Sequence, residues 1–130
     1  MISLSKPGII SEYYFSDYYR VIVIEEGDSY IVSVDVYRSK WIFTDYTEKC
    51  VENTCLLLKE LSPESNGNRY VDLDSVSKII IIGVKVDDNY ETINVKWVLR
   101  KKPTYSDIES LYEASWRIIG CHRGDCWRES

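Results

Sequence analysis

Val32, Val34 and Val36 alternate with Ser33, Asp35 and Tyr37, a period of two that separates a buried face from a solvated one. Arg20-Val-Ile-Val-Ile-Glu25 precedes this segment as a β-branched run, and Glu26-Gly27-Asp28 between them is a turn signal. Residues 20–37 are therefore predicted to form a β-hairpin. A second hairpin is predicted over 78–100. There Lys78-Ile-Ile-Ile-Ile-Gly-Val-Lys-Val86 turns at Asp87-Asp88-Asn89 into a strand whose Ile93, Val95, Trp97 and Leu99 share a face.

Two other segments show a helical period. Tyr46, Cys50, Thr54, Leu57 and Leu61 fall on one stripe, and Asp45 with Glu48 has the spacing of a capping box, which predicts a helix over 46–61, although Thr54-Cys-Leu-Leu-Leu58 also suits a strand. After Pro103, Ser106 and Glu109 repeat that spacing, and Ile108, Leu111, Tyr112, Ser115 and Ile119 form a stripe that closes at Gly120. This predicts a helix over 106–119. Ser62-Pro-Glu-Ser-Asn-Gly-Asn68 is rich in turn formers, so a mobile loop is expected over 62–69 and a flexible tail over 1–10. The resulting order is ββαββα. It predicts an α+β fold in a single domain spanning 1–130, with an antiparallel sheet of four to five strands and two helices on one face.

Composition narrows the class. With 130 residues, 45% of them hydrophobic and 28% charged, the chain has the size and balance of one folded domain and can bury a core without obligatory staples. No window approaches the length of a membrane span, and the first residues lack a basic n-region and an apolar h-region, so a cytoplasmic protein is expected. The choice of Ile, Tyr, Val, Lys and Glu, with a single Ala and no Gln, suits a hyperthermophile or one of its viruses. Intracellular proteins of such organisms are an exception to the rarity of cytosolic disulfides. The net charge of −5 is uneven: residues 1–95 carry −7 and residues 96–130 carry +2. An anionic body disfavours broad contact with phosphates, which leaves only the C-terminal part for that role.

Four cysteines, Cys50, Cys55, Cys121 and Cys126, stand in two pairs of identical spacing. Three readings stay open for them: disulfides, a structural zinc site of four thiolates or of three with His122, or reduced core thiols. In a helix over 46–61, Cys50 and Cys55 would lie about 140° apart round the axis and could not bond to each other, which directs any bridge toward Cys121 and Cys126. His122 is the sole histidine, and neighbouring cysteines project away from it, so it reads as a surface residue near the chain end. Asp35, Asp87, Asp88, Glu91 and Lys96 could serve a metal-dependent nuclease only if they converged on one phosphate, and Asp87 and Asp88 sit where turns favour Asp for backbone reasons. Lys96, Arg100, Lys101 and Lys102 form the basic cluster, interleaved by Trp97, whose strand face points to the core.

Tyr13, Tyr14, Phe15, Tyr18 and Tyr19 crowd one segment, and tyrosines bring large, rigid, amphipathic contact area to interfaces. The reading is a non-enzymatic protein-interaction or accessory module that uses this aromatic and acidic surface, with another protein or a second copy as partner and no cofactor. The alternative is a small zinc-stabilised nucleic-acid binder using Lys96, Arg100, Lys101 and Lys102. A metal-dependent hydrolase comes third.

Overall fold

The period-two segments pair as strands. A computed structural model describes residues 8–16, 19–36, 46–65, 67–87 and 89–119. Its elements are β1 (Gly8–Ser16), β2 (Tyr19–Glu26), β3 (Ser29–Val36), β4 (Thr47–Val51), β5 (Thr54–Leu61), β6 (Glu64–Ser65), β7 (Asn68–Arg69), β8 (Val76–Val86), β9 (Asn89–Leu99) and α1 (Tyr105–Ile118). Seven of the strands form one antiparallel sheet in the order β1-β2-β3-β9-β8-β5-β4, and β6 pairs with β7 in a small separate hairpin. The β8–β9 hairpin thus fills the middle of the sheet, between the β1–β3 meander and the β4–β5 hairpin.

Both hairpins foreseen from alternation are present, pairing Glu26 with Ser29 and Val86 with Asn89 across two-residue turns. Gly27, first in its turn, takes φ +60°, a backbone state that glycine enters without a Cβ clash. The expected fold of four to five strands with two helices is overturned: the described residues hold a mostly β structure with seven strands in one sheet and a single helix. The predicted helix over 46–61 is the β4–β5 hairpin, turning at Glu52-Asn53. Its apolar spacing fits a helix, but β5 supplies the second neighbour of β8, from Thr54 opposite Val86 to Leu61 opposite Ile79. That ladder satisfies the backbone of β8 on its outer side, and tertiary pairing overrides the local period. β1 takes in residues 8–10 of the segment read as a tail, and β6 and β7 lie in the segment read as a loop.

One face of the sheet makes the core. Across the strands, Val23, Val32, Trp97 and Ile79 stand in one row and Val21, Val34, Val95 and Ile81 in the next, all essentially inaccessible to solvent. Helix α1 covers this face with Ile108, Leu111, Ala114, Ser115 and Trp116. Trp97 Nε1 donates to Ser115 Oγ at 2.7 Å, and Ser115 Oγ donates to the Leu111 carbonyl at 2.7 Å, so the buried polar atoms of this contact are paired. Phe15 stacks on Tyr112 with ring centroids 4.5 Å apart, and Tyr13 meets Tyr105 edge-on at 5.6 Å, tying β1 to the helix.

The helix starts two residues before the predicted box. Thr104 is its N-cap: Asp107 N donates to Thr104 Oγ1 at 3.2 Å and Thr104 N donates to Asp107 Oδ2 at 2.9 Å. Thr104→Ala is expected to lower stability by about 1 kcal/mol in urea unfolding, the usual effect of losing such a cap.

Candidate functional site

Because side chains alternate along a strand, every strand that feeds the core also builds the opposite face. Here that face is unusually apolar. On one side Ile24 stands beside Ile31 and Ile31 beside Val98, with Ile22 next to Ser33. On the other, Leu56 pairs with Val84 and Leu58 with Ile82, with Ile80 in the next row. The helix lies on the other side of the sheet, and the aliphatics near the β4 edge stay accessible: Val51 is 74% exposed, Leu56 49% and Leu58 44%. A polar strip runs between the two apolar areas. Asn94 Nδ2 donates to Ser33 Oγ at 2.9 Å and to Asp35 Oδ1 at 2.7 Å, while Lys96 Nζ donates to Ser33 Oγ at 3.3 Å. Asn94 Oδ1 is buried and accepts no hydrogen bond from the described residues.

The aromatic segment divides between the two faces. Tyr13 and Phe15 lie half-buried against the helix, whereas Tyr14 is 67% exposed on the opposite face. The Tyr14 hydroxyl donates to Glu12, and this bond to a carboxylate holds the phenol pKa above its ordinary value. Arg20 pairs with the same carboxylate at 3.4 Å. Tyr18 lies outside the described residues, as does the side chain of Tyr19.

The other candidate sets do not converge. Lys96 sits in the polar strip, whereas Arg100 donates to the backbone carbonyls of Asp74 and Val76, and Lys101 and Lys102 are exposed on the way to the helix. Trp97 is fully buried, so it offers no stacking surface. Asp35 stands beside Asn94 while Asp87 lies in the turn before Asn89, roughly 17 Å away along β9 at the usual rise per residue. One metal cannot hold both carboxylates over that distance. Glu91 is exposed in β9, and Asp88 lies outside the described residues.

Cys50 and Cys55 form a disulfide across the β4–β5 hairpin, with Cα atoms 4.0 Å apart. Only the geometry of a helix forbids this bond, and in a hairpin the two positions face each other. Cys121, His122 and Cys126 lie outside the described residues. Elsewhere Arg69 gathers Glu64, Asp72 and Asp74 at 3.6, 3.9 and 2.6 Å, and the Asp74 bond raises its pKa further. The arginine fastens the segment between β6 and β8.

Residue-by-residue reading overlooked Leu56, Leu58, Ile80, Ile82 and Val84 as site residues. A signal was present: Leu56-Leu57-Leu58 and Ile79-Ile80-Ile81-Ile82 are continuous apolar runs, which strands show when both of their faces are covered.

No known family matches the chain, and neither a curated protein nor a solved structure matches it. Among the described residues, no helix is long and apolar enough to cross a membrane.

Proposed function

We propose that this chain is a non-enzymatic interaction module that binds another protein through the sheet face turned away from α1. One observation carries the reading: the strands are apolar on both sides, yet the helix covers only one, and Val51, Leu56 and Leu58 remain exposed on the other. Contiguous exposed aliphatic surface of this kind marks interaction sites. Tyr14, on the same face at the β1 side, extends the contact with an amphipathic ring. The amino-acid bias toward Ile, Tyr, Val, Lys and Glu supports an accessory protein of a hyperthermophile or its virus.

The double substitution Leu56→Asp/Leu58→Asp tests this reading. Both side chains point away from the core, so the fold is expected to survive, as read by circular dichroism. Affinity for a partner captured by the unaltered protein and then purified should fall by at least roughly 100-fold, the effect of losing two central apolar anchors. Unchanged affinity in the double variant would remove the face from consideration. A salt-sensitive shift with DNA, lost on neutralising Arg100, Lys101 and Lys102, would favour nucleic-acid binding instead.

A further inference from the structure

We propose that reduction of the Cys50–Cys55 disulfide opens a site for a soft divalent metal ion, zinc above all, built from the two thiolates and the carboxylate of Glu48. The three residues share one side of the β4–β5 hairpin: Glu48 and Cys50 alternate along β4, and Cys55 faces Cys50 from β5. Glu48 Oε1 lies 3.1 Å from Cys50 Sγ, a contact and not a hydrogen bond, because a disulfide sulfur carries no proton. The three ligand atoms all lie within 4.8 Å of one another. Tetrahedral zinc, with sulfur at about 2.3 Å and oxygen at about 2.0 Å, needs ligand separations of roughly 3.3–3.8 Å, so modest side-chain rotation suffices.

The backbone keeps this set together once the sulfurs part. β4 and β5 stay paired from Thr47 opposite Leu58 to Val51 opposite Thr54, and β5 is itself held along β8. Cys50 is exposed and Cys55 half-buried, which admits both a reductant and a water as fourth ligand. Lys85 stands directly opposite Cys55 on the neighbouring strand and, with Glu48, Glu52 and Asp87, lines the cleft beside it. Its ammonium offsets part of the excess negative charge of three anionic ligands round a divalent ion. Two sulfurs among three protein ligands select zinc over magnesium or calcium, which prefer oxygen.

The step balances with a dithiol as reductant. Its two sulfurs join in a disulfide while the Cys50–Cys55 bond breaks, and its two protons pass to the new thiols. The metal ion then replaces both protons, which leave to solvent.

The test uses the full chain carrying Cys121→Ser and Cys126→Ser, so that Cys50 and Cys55 are the only sulfhydryls. The protein is reduced, freed of reductant without air, and titrated with cobalt(II) as a visible substitute for zinc. The expected result is one equivalent of cobalt with a thiolate-to-cobalt charge-transfer band, displaced by zinc and absent from the oxidised protein. Glu48→Gln should weaken cobalt binding at least tenfold, on the order seen when groups at a metal site are altered. Circular dichroism of the same samples should show the sheet retained. A reduced protein without the band would overturn the proposal, as would equal affinity in the Glu48→Gln variant or loss of the sheet on reduction.

Discussion

Trp97→Ala is expected to destabilise the protein by about 3–5 kcal/mol, the range for removing a buried tryptophan. That is a large share of a typical domain stability of about 5–15 kcal/mol. Trp97 is fully buried at the centre of the row Val23, Val32, Trp97, Ile79, where the middle strands meet the helix. Its removal empties the space between sheet and helix and leaves Ser115 Oγ without the indole donor, although that hydroxyl keeps its own bond to Leu111. Trp97→Phe should restore most of the volume but not the hydrogen bond, and so fall between the two. Urea unfolding followed by circular dichroism would measure both variants. A loss below about 1 kcal/mol for the alanine variant would contradict this packing.

The second large effect concerns the hairpin at the sheet edge. Cys50→Ser/Cys55→Ser is expected to lower stability by about 2 kcal/mol, from the loop-closure entropy of so short a ring. For a chain of this length that corresponds to a fall in Tm of roughly 6–12 °C. The consequence should be local before it is global. All of β4 is exposed and, among the described residues, β5 is its only neighbour in the sheet, so the strand rests on that ladder and one covalent bond. Hydrogen exchange should show amides of Thr47 to Val51 exchanging faster, though still protected by the ladder to β5, while β8 and β9 are unchanged. Unaltered exchange in β4 would show that the hydrogen-bonded ladder alone holds the edge.

Strong local patterns were legible in the sequence and long-range pairing was not. Val32, Val34 and Val36, or Ile93, Val95, Trp97 and Leu99, alternate cleanly because one side meets the helix, and the stripe from Ile108 to Ile119 is the complementary face. Residues 46–61 carry a helical spacing by coincidence of Tyr46, Cys50, Thr54, Leu57 and Leu61. Only their place beside β8, some 25 residues further on, makes them strands. A disulfide was among the readings the cysteines allowed, but its pairing was illegible for the same reason, since Cys50 and Cys55 face each other only once the segment is a hairpin. The aromatic segment was conspicuous by composition. Alternation divides it, placing Tyr13 and Phe15 under the helix and Tyr14 on the free face.

The binding face could have been sought in the runs Leu56-Leu57-Leu58 and Ile79-Ile80-Ile81-Ile82. A strand with one wet side has no use for consecutive large aliphatics. Leu57, Ile79 and Ile81 are buried in the core, and their neighbours Leu56, Leu58, Ile80 and Ile82 carry the same chemistry to the other side.

Methyl NMR of the Ile, Leu and Val side chains, recorded during titration with the captured partner, tests the binding face most directly. Binding there predicts shifts at Leu56, Leu58, Ile80, Ile82 and Val84, with Val32, Val34, Ile108 and Leu111 unmoved. Shifts confined to methyl groups around the helix, with the opposite face silent, would contradict it.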